Sequence, residues 1–299
     1  MSYRIVGDWG TSRLRLFRIE SGVVTDRCEA PGIGTASTPP EAVLREALVP
    51  WRAAGDPSAI ALCGMVGSRN GWVEVPYVDC PADQATWIAG AARLALDDIP
   101  VAILAGLAMK AGVPDVMRGE ETQIFGAIAL DLRLSAGRHR VILPGTHSKW
   151  TTIEDGRVTG FRTYLTGELF ALLRDHSILA RAAAGSTVDP GEEDKGFAHG
   201  LDRSRSGQVI GALFEARSAQ LLEGRSHGWA LGYLSGLLIG GEIAEALHDE
   251  PRTGRIALVG DPRLTERYRR TFAGYAIAVD LVDGDAAALA GLNALETKS

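Results

Sequence analysis

Cysteine is scarce. The 299 residues contain three, Cys28, Cys63 and Cys80, with no CxxC pair among them. An odd count without that spacing excludes a disulfide scaffold and a zinc ribbon, and it suits a reducing compartment, so a cytoplasmic setting is expected. Positive charge is not in excess either, with 31 Lys and Arg against 37 Asp and Glu for a formal charge of -6. Binding along a phosphate backbone draws on a cationic surplus that is lacking here, so no nucleic-acid partner is expected. The longest nearly uncharged apolar stretch, Gly228 to Gly241, stops at Glu242, short of the roughly 18 residues of a membrane span. The opening Met-Ser-Tyr-Arg-Ile-Val has no apolar core of the signal-peptide kind, and no membrane partner is expected. Familiar site motifs are missing too: no GxxxxGK[ST] loop, no GxSxG, no HExxH and no protein-kinase HRD or DFG set. Gly32-Ile33-Gly34 lacks the third glycine of a dinucleotide fingerprint, and the six histidines have no metal-ligand spacing.

What is present is a chain long enough for about two domains, 46% hydrophobic and unusually rich in glycine, 36 of 299. Against a usual share of about 7%, that excess points to tight turns and close backbone approach to a ligand. Strand patterns at Tyr3–Val6 and Leu14–Ile19 flank Gly10-Thr11-Ser12, with a third strand after Gly22. A helix is expected from Pro40, then a strand at Ala59–Cys63, a helix over about Ala82–Leu96 and a strand at Val101–Ala105. From Asp115 the pattern restarts: a helix near Glu121–Leu132, then strands Arg140–Leu143, Lys149–Ile153 and Val158–Tyr164 around the turn Gly145-Thr146-His147-Ser148. Helices at Thr166–Arg174, Gly207–Leu222 and His227–Leu247, strand Ile256–Val259, helix Pro262–Phe272, strand Ala276–Val279 and a helix from Asp283 complete the reading. The repeated strand, Gly-Thr turn, strand device implies a duplicated α/β fold of two lobes, 1–114 and 115–299, with a cleft between them.

A Gly-Thr-hydroxyl turn between antiparallel strands directs backbone N–H groups and hydroxyls to one point, a concavity suited to phosphate oxygens. Gly10, Thr11 and Ser12 make the first, and Gly145, Thr146, His147 and Ser148 the second; two such turns would clamp a polyphosphate. Asp8, at a strand end beside the first turn, is a candidate Mg²⁺ anchor; a turn-capping aspartate is the plainer reading. Glu120 and Glu121 open a helix after Met117-Arg118-Gly119. Either serves the helix dipole, or one takes a proton from a substrate hydroxyl. The loop Gly64 to Trp72, with Ser68, Arg69 and Asn70, and Lys149 offer donors to an anionic, hydroxylated substrate.

Together these blocks resemble the 2-dehydro-3-deoxygalactonokinases. The resemblance rests on Gly7-Asp8-Trp9-Gly10-Thr11-Ser12 with Arg15, on Gly64-Met65-Val66-Gly67-Ser68 with Gly71-Trp72, and on Met117-Arg118-Gly119-Glu120-Glu121-Thr122-Gln123. It extends through Pro144-Gly145-Thr146-His147-Ser148-Lys149-Trp150, Leu165-Thr166-Gly167-Glu168-Leu169 and Leu234 to Gly240, nearly the whole chain. It implies the actin/hexokinase-type, ribonuclease H-like duplicated ATPase fold, with ATP and Mg²⁺ as cofactors and a small sugar acid as partner. The implied activity is phosphorylation of the 6-hydroxyl of 2-dehydro-3-deoxy-D-galactonate in galactonate catabolism. Glu120 is favoured as base, since it stands where related sugar kinases carry a Gly-Asp base. Gly260, after strand Ile256–Val259, falls in the implied adenosine motif, although Gly260-Asp261-Pro262 departs from the two small residues many relatives have. Two rivals stand beside this reading: a kinase of another 2-keto-3-deoxy sugar acid, and a non-catalytic actin-like nucleotide sensor.

Overall fold

The structure is a computed structural model and describes residues 2–53, 55–180, 188–249 and 254–297. The chain clusters into two compact units, Met1–Val141 with Thr151–Arg162 and Val282–Ser299, and Ile142–Trp150 with Thr163–Leu281.

The first unit opens with the expected meander, β1 (Arg4–Trp9), β2 (Arg13–Glu20) and β3 (Val23–Pro31). Leu14, Leu16 and Ile19 of β2 point into the core; a register shift between Arg18 and Ile19 lets Ile19 break strict alternation and still turn inward. Then come α1 (Pro40–Arg52), β4 (Ile60–Gly64), β5 (Val78–Asp79), α2 (Gln84–Ala89), β6 (Ala92–Leu96), β7 (Ile99–Ile103), β8 (Leu107–Met109), β9 (Asp115–Met117) and α3 (Glu120–Leu130). One sheet runs β3-β2-β1-β4-β7-β6 and a smaller one β5-β8-β9. The helix expected over Ala82–Leu96 is half strand. Asp83 caps α2 through the Thr86 N–H, the helix ends at Gly90, and β6 turns back through Asp97 at φ +56° to pair with β7.

Strands β10 (Arg138–Leu143), β11 (Ser148–Glu154) and β12 (Arg157–Tyr164) follow, then α4 (Thr166–His176), α5 (Pro190–Ser204), α6 (Val209–Ala212), α7 (Glu215–Leu222), α8 (His227–Asp249), β13 (Ile256–Gly260), α9 (Pro262–Ala273), β14 (Asp280–Asp283) and α10 (Gly284–Asn293). The sheet order is β12-β11-β10-β13-β14. Two readings need correction here, and one helix was not expected. The helix expected over Gly207–Leu222 is two short helices, and α5 went unrecognised because its polar sequence carries little apolar periodicity. The strand expected at Ala276–Val279 is loop: Ala276 takes φ +54° and the Ile277 N–H closes on Phe272 O, so Tyr275, Ile277 and Val279 pack on the core as they pass. Helix α8 outruns the Gly228–Gly241 stretch. By length and composition it could cross a membrane, yet 78% of its most apolar window is buried inside the protein.

Much of the glycine excess serves helix packing rather than turns or ligands. A Cβ on Gly200 of α5 would lie 2.1 Å from Tyr233 O on α8, and one on Gly232 of α8 would lie 1.9 Å from Glu193 O on α5. In the first unit, Gly126 of α3 and Gly291 of α10 allow the same backbone-to-backbone approach, with 1.8 Å to Ala287 O and 2.0 Å to Thr122 O. That contact gathers residues 115–141 and α10 into the first unit, a different partition from a division at 114/115.

Candidate active site

In the first unit, β1 and β4 run parallel with Asp8 opposite Cys63 and Trp9 opposite Gly64. Their carboxyl ends therefore finish together, the place where open α/β sheets bind ligands. Asp8 is partly exposed; its Oδ2 accepts from Arg15 Nη2 at 2.7 Å across the β1–β2 ladder, and Arg15 Nη1 also reaches Asp285 of α10. Its Oδ1 lies 3.9 Å from the Cys63 thiol. Burial first, then the charges of Asp8 and Glu121, push that thiol well above its usual range, so it stays protonated. Gly64 turns at φ +90°, and a Cβ there would stand 3.2 Å from Asp8 Oδ1; a Cβ on Gly119, at φ +110° and just before α3, would lie 3.5 Å from the Gly64 Cα.

The two acids of α3 have different surroundings. Glu120 is partly exposed and its Oε2 accepts the Arg118 N–H at 3.0 Å. Glu121 is 0% exposed, and both its oxygens accept the Gly119 N–H, at 2.9 and 2.7 Å, while Thr122 Oγ1 donates at 3.2 Å. Burial first, and the neighbouring Glu120 second, push Glu121 up to about 8.

The first turn is exposed at Thr11 and Ser12 and closed by Gly10 N–H to Arg13 O at 2.9 Å. Its brace is Gly32-Ile33-Gly34. The Ile33 and Gly34 N–H groups donate to Gly10 O and Thr11 O, and a Cβ on Gly32 would lie 2.3 Å from Arg13 N. A segment read from sequence as an incomplete fingerprint is a strap under the turn. In the loop after β4, Arg69 and Asn70 are exposed, whereas the Ser68 hydroxyl is buried without a hydrogen-bond partner. Arg118, inside a noted motif but given no role, spans back to this loop: Nη2 donates to Val75 O at 2.7 Å, the guanidinium stacks 4.3 Å from the Tyr77 ring centre, and Nε and Nη1 are buried and unpartnered.

In the second unit, the turn exposes Thr146 and His147, and His147 Nε2 meets Glu168 Oε2. Nothing beyond its chain neighbours lies within 4 Å of a Cβ built on Gly145. Ser148 and Lys149, expected to face phosphate and substrate, lie inside the fold: Ser148 is 0% exposed and donates to Glu242 Oε1, and Lys149 is 4% exposed and donates to Thr163 Oγ1 at 2.8 Å. The physical reason is strand alternation against a packed sheet, where consecutive positions of β11 are covered on both faces. Helix α4 meets the turn through Glu168 N–H to Thr146 O at 2.9 Å. Gly260 ends β13, and a Cβ there would be 3.5 Å from the carbonyl oxygen of Pro144, the residue entering the turn. The departure at Gly260-Asp261-Pro262 is a helix start, with Asp261 Oδ1 capping the Arg263 and Leu264 N–H groups of α9. A cavity of about 100 Å³ adjoins the turn, walled by Gly145, Gly167, Ser235, Leu264, Arg267 and Tyr268 among others. Arg267 is held there by Ser235 and Glu193.

A family model described as 2-keto-3-deoxy-galactonokinase matches residues 8–295. The protein named "Probable 2-dehydro-3-deoxygalactonokinase DgoK1" of Rhizobium meliloti (strain 1021) is 40% identical over 98% of this chain and 96% of its own length. The 2-dehydro-3-deoxygalactonokinase of Escherichia coli (strain K12) is 33% identical over 96% and 95%. A crystal structure of a 2-dehydro-3-deoxygalactonokinase-family protein from Sinorhizobium meliloti superposes with a TM-score of 0.89 at 38% identity, covering 98% of both chains. The activator of the 2-hydroxyisocaproyl-CoA dehydratase from Clostridium difficile, solved with ADPNP, covers 98% of this chain and 94% of that one at TM-score 0.51 and 14% identity, a likeness of fold alone. The fold is the duplicated, two-lobed α/β fold of the actin/hexokinase type.

Proposed function

The chain belongs to the 2-keto-3-deoxy-galactonokinase family, and on that premise we propose that it transfers the γ-phosphoryl group of ATP to the 6-hydroxyl of 2-dehydro-3-deoxy-D-galactonate. The observation that carries this reading is the Gly145 turn, whose Cβ side is open beyond its chain neighbours and is thus available for close approach of a phosphate to the backbone. The Gly10-Thr11-Ser12 and Gly145-Thr146-His147 turns are assigned to the phosphates, and the Gly260 strand end with the Arg267 cavity to the nucleoside side. Arg69, Asn70 and the Ser68 hydroxyl are assigned to the sugar acid. Three free thiols agree with a reducing, cytoplasmic setting.

Phosphoryl transfer asks for alignment and charge neutralisation more than for covalent help. Glu120 is assigned as base: it takes the hydroxyl proton as that oxygen bonds to the γ-phosphorus and the bond to the β,γ-bridging oxygen breaks, releasing ADP. Complete burial of Glu121 supports leaving this role to Glu120. Among the described residues no three His, Cys, Asp or Glu gather as a metal site. A hydrated Mg²⁺ needs only one or two protein carboxylates, the rest of its shell being water and phosphate oxygen, and Asp8 fits as that anchor. When bound, the ion would offset the negative charge of the β and γ phosphates. Arg15 fixes the direction of the Asp8 carboxylate.

Coupled ADP release across a panel of 2-keto-3-deoxy acids tests the assignment. The expected result is turnover highest with 2-dehydro-3-deoxy-D-galactonate; equal or better turnover with another acid would replace the substrate, and none with any acid would remove the kinase reading.

A further inference from the structure

The assignments above leave an enclosed carboxylate of the second unit without a role. Glu242, on α8, is 5% exposed. Its Oε1 accepts hydrogen bonds from Ser148 Oγ and Trp150 Nε1, both at 2.7 Å, and its Oε2 accepts one from Tyr268 Oη at 2.7 Å. The Thr166 hydroxyl donates to it as well. All four are neutral donors.

Taking a carboxyl group out of water is unfavourable, and four convergent donors offset that cost without making it a net gain. Apolar residues of similar volume would serve stability as well or better. The identity of the donors points to another use. Ser148 and Trp150 stand on the strand leaving the second turn. Thr166 opens α4, whose next residue, Gly167, leaves no room for a Cβ beside Gly145 O, 2.3 Å away. Tyr268 lies on α9, the helix that follows Gly260. Three elements that shape the proposed nucleotide face therefore end on one carboxylate: Oε1 holds the strand side and Oε2 the helix side.

We propose that Glu242 is a positioning residue for nucleotide binding, which fixes the Gly145–His147 turn in its phosphate-accepting shape by tying β11, α4 and α9 to α8. This rests on the reading of that turn as a phosphate site. Glu242 touches no substrate in this scheme and acts through Ser148, Trp150, Thr166 and Tyr268. Four donors match a carboxylate and mismatch an amide, which would present N–H groups of its own to a hydroxyl or indole donor.

The test is calorimetric titration of ATP with Mg²⁺ into the full chain, together with steady-state KM values for ATP and for the sugar acid. Glu242→Gln keeps shape and volume, and is expected to weaken ATP binding about tenfold or more, the scale of losing hydrogen bonds to a charged group. The KM for the sugar acid should stay within about twofold of wild type, as should kcat at saturating ATP. Tyr268→Phe removes the hydroxyl that bonds Oε2 and keeps the ring packed; it is expected to weaken ATP binding severalfold, and it serves if Glu242→Gln does not fold. Unchanged ATP affinity in Tyr268→Phe and in folded Glu242→Gln, with only a lower thermal midpoint, would reduce Glu242 to a stabilising residue and overturn the proposal. Gly145→Val separates this from failure of the premise. Loss of ATP binding there, with intact binding in the other two variants, sinks the positioning role alone, whereas intact binding in Gly145→Val removes the phosphate assignment and the inference with it.

Discussion

The two Gly-Thr turns are alike in sequence and held by different means. The first is braced mainly by main chain: the Ile33 and Gly34 N–H groups donate to Gly10 O and Thr11 O, with one side-chain bond added, from Thr35 Oγ1 to Ser12 O at 3.1 Å. The second leans on side chains, with Ser148 and Trp150 anchored on Glu242, and on a single backbone bond from Glu168. A main-chain brace is indifferent to most side-chain changes but cannot admit a Cβ at Gly32. A carboxylate hub tolerates no isosteric swap that alters its donors and acceptors. The chemistry differs as well, since Asp8 and Glu120 of the first unit are partly exposed, whereas Glu242, the carboxylate behind the second turn, is enclosed. Substitutions of Asp8 and Glu120 should therefore act on turnover, and those at the second turn and its carboxylate on nucleotide affinity.

The strongest test of that contrast is Asp8→Ala, expected to abolish ADP release while leaving the circular dichroism spectrum unchanged; near-normal turnover would take Asp8 out of the site. Next, Glu120→Gln is expected to lower kcat by about 10²- to 10⁴-fold with ATP affinity close to wild type. A fall in affinity instead would blur the division between the turns. Gly145→Val is expected to do the reverse, weakening ATP binding by about tenfold or more in calorimetry, because the added side chain meets open space on the protein side and fills the phosphate approach. Gly32→Ala sharpens the comparison from the side of the brace. With Arg13 N only 2.3 Å from the new Cβ, urea denaturation should report a loss of about 1–3 kcal/mol; an unaltered midpoint would mean that the strap yields without strain.

The last prediction concerns Glu121, and its sign follows from linkage. The folded state holds its carboxyl up at about 8 against an ordinary value of 4.5. Between those pH values the unfolded chain has released the proton that the folded chain retains, so stability falls as pH rises through this window. Glu121→Gln carries no such proton. Its thermal midpoint relative to wild type should therefore improve from pH 5 to pH 8, and a difference independent of pH would show that Glu121 is already ionised in the fold.

Both meanders, β4, α3, α8 and β13 were legible because hydrophobic period and turn residues are local signals. So was the acid pair at the start of α3, as part of a compact motif. Helix α2 and strand β6 were merged because Ala-rich sequence favours helix throughout, and only pairing with β7 makes Ala92–Leu96 a strand. Apolar Ala276–Val279 looked like a strand, but its side chains pack on the core from a loop. The burial of Lys149 had no sequence signal, since a basic residue after a turn ordinarily reads as solvated.

By itself, the sequence determined where the chain turns, which residues start helices, and which family motifs it carries, because each depends on groups a few positions apart. Tertiary structure decided that Glu121 is enclosed while Glu120 remains partly exposed, that Gly32 braces a turn twenty residues away, and that Ser148, Trp150, Thr166 and Tyr268 share one carboxylate on α8. Burial and hydrogen-bond partnership are set by whatever packs alongside, and those neighbours come from segments far apart in the chain.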